Sequence, residues 1–145
     1  MSHGMGYVES KKDLRDYKLN KKVCTGISLP DEFQVQHSFI KNQGSVGSCV
    51  AHSVAEVLEI LEDNNLKYST AWIYGYRPVG YYQGMGMMTS EALKTVRNVG
   101  SLQYANLPGN IEVPQAKELV DEHLSEYKEK AKDDKIASYA RLKSV

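Results

Sequence analysis

A glycine-rich turn that runs directly into an amphipathic helix constrains the fold of this chain more than any other feature. Gly44 and Gly47 allow the backbone left-handed or closely approached conformations immediately before the helical periodicity begins. Ser48 is a suitable N-cap, and it places Cys49 in the first turn of the predicted helix. The unpaired N–H groups and the dipole at a helix N-terminus stabilise an anionic sulfur. The sequence therefore predicts a nucleophilic cysteine at the start of a helix.

The segment from Ile40 to Ser53 resembles the nucleophile segment of the papain-like cysteine peptidases. The resemblance implies that Cys49 is the nucleophile and that the side-chain amide of Gln43, six residues upstream, donates a hydrogen bond to the oxyanion. Three positions depart from the usual residues of the family. Val46 stands where a disulfide-forming cysteine is common, Val50 replaces a tryptophan, and His52 replaces an aromatic residue. The valine at the first of these positions argues against a secreted, disulfide-braced member.

The resemblance implies an α+β, papain-like fold, in which a mainly helical left-hand domain leads into the first elements of a β-rich right-hand domain. We expect an extended N-terminal lead over residues 1–29, the helical domain with the nucleophile helix over 30–110, and a helix with a first strand over 111–145. The lead resembles the short leader of bacterial papain-like proteins, without a long inhibitory propeptide. The rest of the β domain is expected beyond residue 145, which makes this chain a truncated, Cys-bearing half.

Apolar residues at helical spacing predict a first helix from about Ser48 to about Glu62. Its predicted inward stripe is Val50, Val54, Val57, Leu58 and Leu61, with Glu56, Glu59 and Glu62 outside it. Further helices are predicted from Ala71 to about Tyr76, from the N-cap Thr89 to the C′ residue Gly100, and from Pro114 to about Lys132. The last of these is highly charged and predicts a solvated face. The alternation over Ile136–Leu142 predicts a strand.

A segment rich in glycine, tyrosine and methionine follows the second helix. Methionine and aromatic side chains supply adaptable apolar surface, and glycines let another backbone come close. The resemblance implies that this loop pairs with the substrate main chain, and the predicted substrate-binding residues are Gly84, Met85, Gly86, Met87 and Met88. The methionines are expected to border an apolar side-chain pocket. A tight turn that covers the core is the alternative, and the sequence favours neither.

A cysteine peptidase also needs a histidine base, oriented by a third group. In the papain family the histidine and asparagine lie about 130–150 residues beyond the cysteine. Only 96 residues follow Cys49, and the histidines of the chain are His3, His37, His52 and His123. His52 stands where the family has a packed aromatic residue, so a packing role is expected for it, and His123 is expected on the surface. We therefore predict that both groups come from a C-terminal half, and that this chain alone is inactive.

Charge and cysteine content exclude several other classes of protein. Eighteen basic and eighteen acidic residues cancel, which favours neither nucleic acid nor a membrane surface as a partner. No apolar run approaches the roughly 18 residues of a transmembrane helix, and the polar N-terminus lacks a signal-peptide core, so a cytoplasmic location is expected. Cys24 and Cys49 form neither a disulfide framework nor a metal-ligand spacing, and no metal or cofactor is implied.

The sequence thus predicts peptide-bond hydrolysis through a thioester acyl-enzyme, with a peptide or protein as substrate and the C-terminal half as partner. A non-catalytic peptide-binding or assembly module on the same scaffold is the alternative from a different class. Transfer of the acyl group to an amine is a third interpretation, since the same acyl-enzyme can react with an amine. A histidine and an asparagine encoded downstream of Val145 would favour the enzyme, and a stop codon there would favour the module.

Overall fold

Helices make up most of the regular structure. The computed structural model of the protein describes residues 6–10, 30–32, 34–36, 40–63, 66–77, 86–109 and 113–139. Within these residues the elements, in chain order, are β1 (Tyr7–Val8), α1 (Cys49–Leu61), α2 (Thr70–Gly75), β2 (Met87–Met88), α3 (Thr89–Asn98), α4 (Val113–Glu122) and α5 (Leu124–Ala131). The prediction of a first helix from about Ser48 to about Glu62 is confirmed, as is a second helix next to Ser69.

The helix α1 packs against α2 and α3, and its buried residues form one face: Val50, Ala51, Val54, Ala55, Leu58 and Glu59. The predicted inward stripe is wrong at two of its positions, because Val57 is 53% exposed and Leu61 is 67% exposed. Ala51 and Ala55, both fully buried, explain the difference. Their small side chains let neighbouring elements come close, and this centres the buried face away from Val57.

Glu59 is the clearest error of the sequence prediction, which placed it on the outer face of α1. Its side chain is only 1% exposed. The carboxylate is tolerated there because Lys41 Nζ lies 2.5 Å from Oε2 and the Tyr68 N–H donates to Oε1 at 2.7 Å. Burial of this residue was therefore decided by partners far away in sequence.

The helix α2 is buried over its whole length from Thr70 to Gly75. Ser69 caps it, since its hydroxyl accepts a hydrogen bond from the Trp72 N–H at 3.1 Å. The Trp72 indole in turn donates to Gly100 O at 3.0 Å. Gly75 lies directly against α4, where an added Cβ would come within 2.6 Å of Ala116 O. Close main-chain contact therefore joins α2 to α4.

The charged helix predicted from Pro114 to about Lys132 is in fact two helices. His123 interrupts it with φ −109° and ψ 22°, and separates α4 from α5. Both helices bury small or apolar residues, namely Ala116, Val120, Tyr127 and Ala131. The break allows each helix to turn such a face toward the core. The high charge predicted a solvated face, and this face is therefore only part of the surface of the two helices.

The predicted strand Ile136–Leu142 is wrong over the described residues Ile136–Tyr139, which form no strand. A strand needs a neighbour to complete its hydrogen bonds, and no strand pairs with this segment in the described part of the chain. The residue Asp134, just before this segment, accepts the Ser101 N–H on its carbonyl at 2.7 Å. Ile136 packs against the core. Residues 140–142 lie outside the described ranges.

The N-terminal lead contributes β1, which pairs in parallel with β2 so that Tyr7 lies opposite Met87 and Val8 opposite Met88. The Met87 N–H donates to Gly6 O at 2.7 Å. The boundaries 1–29, 30–110 and 111–145 stay predictions, as does the cytoplasmic location. Across the described ranges no helix is long and apolar enough to cross a membrane.

The helix α3 begins at Thr89, and Met88 occupies the N-cap position without a side-chain hydrogen bond, so the predicted cap by Thr89 is wrong by one residue. The predicted end of the helix is confirmed. Gly100 follows the C-cap Val99 and has φ +113°. Its N–H donates to Thr95 O at 3.1 Å, as expected for a glycine that closes a helix.

Gly100→Ala should lower the free energy of unfolding by about 2–4 kcal/mol, because the new side chain meets both a positive φ and the backbone of α5. The added Cβ would collide with Ala131 O. Gly44→Ala is the matched control, since φ is +58° there and nothing lies within 4 Å of an added Cβ. It should cost only about 1 kcal/mol. Urea unfolding of both variants measures the difference, and equal losses would contradict the packing of Gly100 against α5.

Candidate active site

The turn before α1 is closed by its own hydrogen bonds. Asn42 Oδ1 accepts the Gly44 N–H at 2.9 Å, and Gly44 has φ +58°. The Val46 N–H donates to Gln43 O at 3.2 Å, and the Gln43 side chain returns to the turn, where Nε2 donates to Val46 O at 3.1 Å. The side-chain amide proposed as oxyanion donor is therefore held in the turn by the residue three positions later.

Cys49 is the first residue of α1 and a free, partly buried cysteine that packs against the core. The sequence predicted this position correctly. The expected cap at Ser48 is wrong in its chemistry, because Ser48 occupies the N-cap position but makes no side-chain capping hydrogen bond. Its hydroxyl instead lies 3.2 Å from His52 Nδ1. Cys24 lies outside the described residues.

His52 is fastened to the same serine. Its Nδ1 lies 3.0 Å from Ser48 O. The Ser48 hydroxyl lies 3.2 Å from the same nitrogen, so both polar groups of Ser48 contact Nδ1. These contacts tie this ring nitrogen to the residue one turn earlier, and the packing role of His52 stays a prediction. His123 lies in the turn between α4 and α5, exposed and 4.0 Å from the carboxylates of Glu122 and Glu126. His3 and His37 are outside the described residues.

The N-terminal strand runs between this turn and the methionine-rich segment. Gly6 is buried, and an added Cβ would collide with the carbonyl of Gly47. Two residues further along, Val8 is close to Gly86, where an added Cβ would come within 2.9 Å of Val8 Cγ2. Only glycine allows these approaches. The structure thereby brings the turn and Gly86 close to the same N-terminal residues, Gly6 and Val8, a juxtaposition that the sequence did not show.

Gly86 is held by two side chains, one from a residue of α2 and one from a residue just after it. Its N–H donates to Tyr74 Oη at 3.0 Å, and its carbonyl accepts from Arg77 Nη1 at 2.8 Å. The Arg77 guanidinium also stacks on the Tyr74 ring, 3.6 Å from its centroid. Pairing of a substrate with the main chain of Gly86 would therefore compete with hydrogen bonds made inside the chain.

Met87 and Met88 form β2 and are 0% and 8% exposed, and Met87 belongs to the hydrophobic core. Their burial favours the interpretation of this segment as a cover of the core. Gly84 and Met85 lie outside the described residues, so the loop is described only from Gly86 onward. The substrate-binding role of the segment stays a prediction.

A buried ion pair near the turn is the part of the site that sequence reasoning missed. Lys41 and Glu59 have side chains that are 8% and 1% exposed. Lys41 also lies 3.3 Å from Glu56 Oε2. Helical periodicity could not reveal this pair, because it predicts only which face of α1 a residue occupies, and Lys41 lies outside the helix. No group of three or more His, Cys, Asp or Glu residues suited to a metal ion occurs among the described residues.

Tyr68 lies beside this pair and bridges to Gln103 through an isolated antiparallel contact. Its side chain is 3% exposed. Burial raises the pKa of the Tyr68 hydroxyl to about 12, with further contributions from the negative charges of Asp134, Glu62 and Glu59. The neutral phenol is therefore favoured in the folded protein.

No family model matches the chain, and a search of curated proteins finds no match. Among solved structures it is similar to xylellain, a cysteine protease from Xylella fastidiosa, with a TM-score of 0.78 and 22% sequence identity. The similarity covers 97% of this chain and 59% of that chain. The chain thus spans less than two thirds of the length of this neighbour. The similarity confirms the predicted α+β, papain-like fold.

The raised pKa of Tyr68 predicts a loss of stability in alkaline solution. The folded pKa of about 12 lies above the ordinary value of 10.0, so this stabilisation is complete below pH 10 and disappears as the pH rises through 12. Urea unfolding at several pH values should show a steeper loss for the unchanged protein than for Tyr68→Phe. Tyr104→Phe, at an exposed tyrosine, is the control. The same slope in all three proteins would contradict the prediction.

Proposed function

We propose that this chain is the nucleophile-bearing half of a papain-like cysteine peptidase. The observation that carries the proposal is the position of Cys49, the first residue of α1 after a turn that holds the Gln43 amide. The similarity of the fold to a cysteine protease supports it. The reaction is hydrolysis of a peptide bond through a thioester acyl-enzyme, with a peptide or protein as substrate.

Each group of the turn has a defined task in this reaction. The sulfur of Cys49 attacks the carbonyl carbon of the peptide, and negative charge develops on the carbonyl oxygen. The first N–H groups of a helix have no acceptor within the helix, so the Cys49 N–H is suited to bind this oxygen. The Gln43 amide carries two N–H bonds, and one of them donates to Val46 O. The side-chain amide of Gln43 is the proposed second donor to the oxyanion.

We propose that the proton for the leaving amine comes from a histidine in another part of the protein. His52 is tied through Nδ1 to Ser48, and His123 lies on the surface between two helices. Departure of the amine requires a proton donor at the reacting nitrogen. We propose that this histidine and its orienting asparagine belong to a C-terminal half. Water then attacks the thioester and releases the second product.

An exposed apolar region supports the proposal of a partner half. Val57 and Leu61 project from α1 beside a cavity of about 360 Å³. The cavity is also lined by Leu93, Ile136 and Tyr139. Large apolar side chains at such a groove are typical of a surface that another part of a protein covers. We propose that the C-terminal half packs here.

The proposed substrate contacts are Gly84, Met85, Gly86, Met87 and Met88. We propose that the substrate main chain pairs with Gly84 and Met85, because the N–H and carbonyl of Gly86 already have partners in Tyr74 and Arg77. Among the methionines, Met88 retains 8% exposure, whereas Met87 is fully buried. Met88 is therefore the better candidate for the border of an apolar side-chain pocket.

The chain alone should be alkylated by iodoacetamide at Cys49 but should hydrolyse peptides negligibly, because it holds the nucleophile without the proton donor. Addition of the polypeptide encoded downstream should accelerate both reactions. In that complete protein, Gln43→Ala should lower kcat about 100-fold or more, the usual effect of removing one oxyanion donor. Mass spectrometry of the labelled peptide and a fluorogenic peptide assay are the measurements.

His52→Ala is the control for the assignment of the base. It should leave the alkylation rate and the hydrolysis by the complete protein within a small factor of the unchanged values. Hydrolysis by the chain alone that disappears in His52→Ala would make His52 the base and contradict the proposal. Alkylation without any hydrolysis by the complete protein would instead favour a peptide-binding module.

A further inference from the structure

The Lys41–Glu59 ion pair connects two parts of the candidate site that lie apart in sequence. Lys41 comes two residues before Gln43, and Glu59 comes ten residues after Cys49 on α1. At 1.5 Å per residue, ten residues place Glu59 about 15 Å along the helix from Cys49. The chain therefore meets α1 first at Glu59 and then runs back to the start of the same helix.

The carboxylate of Glu59 is fixed in place by contacts on both oxygens. Lys41 Nζ lies 2.5 Å from Oε2, and the Tyr68 N–H donates to Oε1 at 2.7 Å. Lys41 Nζ is held on its other side by Glu56 Oε2 at 3.3 Å. Both charged side chains of the pair are nearly inaccessible to solvent. A group with this many short contacts has little freedom to rotate or slide.

Stability alone is a poor explanation for such a pair. The desolvation of two charges offsets much of their attraction, and apolar residues of similar volume are often as stabilising. What the pair does provide is a fixed position for the segment before the turn. The segment Lys41–Ser48 is attached to α1 at both ends, at Glu59 through Lys41 and at Cys49 through the chain itself.

We propose that Lys41 and Glu59 are positioning residues that place the Gln43 amide relative to the Cys49 sulfur. The inference rests on the proposed function, since it concerns the oxyanion donor of that reaction. A donor acts only when it lies at hydrogen-bond distance from the developing oxyanion, and a displacement of about 1 Å removes most of its effect. Release of Lys41 from α1 lets the turn shift along the helix and moves Gln43 with it.

In the complete protein, with the polypeptide encoded downstream, two reagents separate the position of the amide from the reactivity of the sulfur. A dipeptide aldehyde adds the Cys49 thiol across its C=O bond: the C–S bond forms, and the thiol proton ends on the former carbonyl oxygen. That oxygen occupies the oxyanion position, so the dissociation constant reports on Gln43. Iodoacetamide forms a C–S bond and releases iodide, and it creates no oxyanion. Its rate reports on the sulfur alone.

Glu59→Gln is the first variant, because it removes the charge and retains an oxygen that accepts the Tyr68 N–H. Lys41→Met combined with Glu59→Gln is the second variant. It removes both charges of the pair and so leaves neither unpaired, which provides a test if the first variant fails to fold. Each should raise the Kd of the aldehyde about tenfold, a coupling of ordinary size between neighbouring groups. The iodoacetamide rate should stay within about twofold, as expected when only the neighbouring turn has moved.

The control is Lys117→Met combined with Asp121→Asn on α4. This pair has the same Nζ to carboxylate distance of 2.5 Å but is exposed, with side chains 27% and 53% accessible. This double variant should change neither the Kd of the aldehyde nor the rate of alkylation by iodoacetamide. Thermal unfolding is measured for every variant, and Lys41→Arg, which keeps the charge but displaces the donor, replaces any variant that does not fold.

The deciding comparison is a double-mutant cycle with Gln43→Ala. If Glu59 acts through Gln43, Glu59→Gln weakens aldehyde binding in the unchanged protein and has no effect in Gln43→Ala. An equal effect in both backgrounds, or no effect in either, overturns the positioning role while the proposed function stands. Failure of the aldehyde to bind the unchanged protein, or indifference of its Kd to Gln43→Ala, overturns the oxyanion assignment itself and this inference with it.

Discussion

The buried carboxylate of Glu59 is the interaction on which the arrangement around α1 depends. An ionised carboxylate is tolerated inside a protein only when its oxygens are paired. The partners here are Lys41, which precedes the turn of Gln43, and the N–H of Tyr68, which precedes α2. Both segments therefore have to reach the same part of α1. Burial of one carboxylate in this way positions the turn and the second helix against the first.

Close approach of main chains is the second constraint, and small residues satisfy it. Gly6 lies against Gly47, Gly86 lies against Val8, and Gly75 lies against α4. Each contact would be lost with a larger side chain, because the neighbouring atom is main chain or a packed side chain. The first two contacts join the N-terminal strand to the turn and to the residue before β2, and the third joins α2 to α4.

The site that results is half of a catalytic unit in the proposed function. Cys49 is the proposed nucleophile and Gln43 a proposed oxyanion donor, and the described histidines contact Ser48 or lie at the surface. Division of a site between two parts of a fold is physically reasonable, since nucleophile and base only have to meet at the substrate. The apolar side chains of Val57 and Leu61 mark the surface that we propose the other part covers.

The start of α1 was predictable from the sequence, as were Cys49 at its first residue and the closing glycine Gly100. These features depend on local chemistry: apolar periodicity, glycine in a turn, and the geometry of a helix end. The sequence also placed Gln43 in the turn, and the resemblance of this segment indicated the fold.

Other features were decided by contacts between residues distant in the chain, and the sequence alone misplaced or missed them. Glu59 is buried because Lys41 and Tyr68 pair with it, and β1 forms because β2 lies beside it. His123 divides a continuous helical pattern into two helices, and both of them bury residues in the core. Periodicity reports which residues share a face of an element. Only the tertiary structure decides what covers that face, because burial and pairing depend on partners that local sequence does not specify.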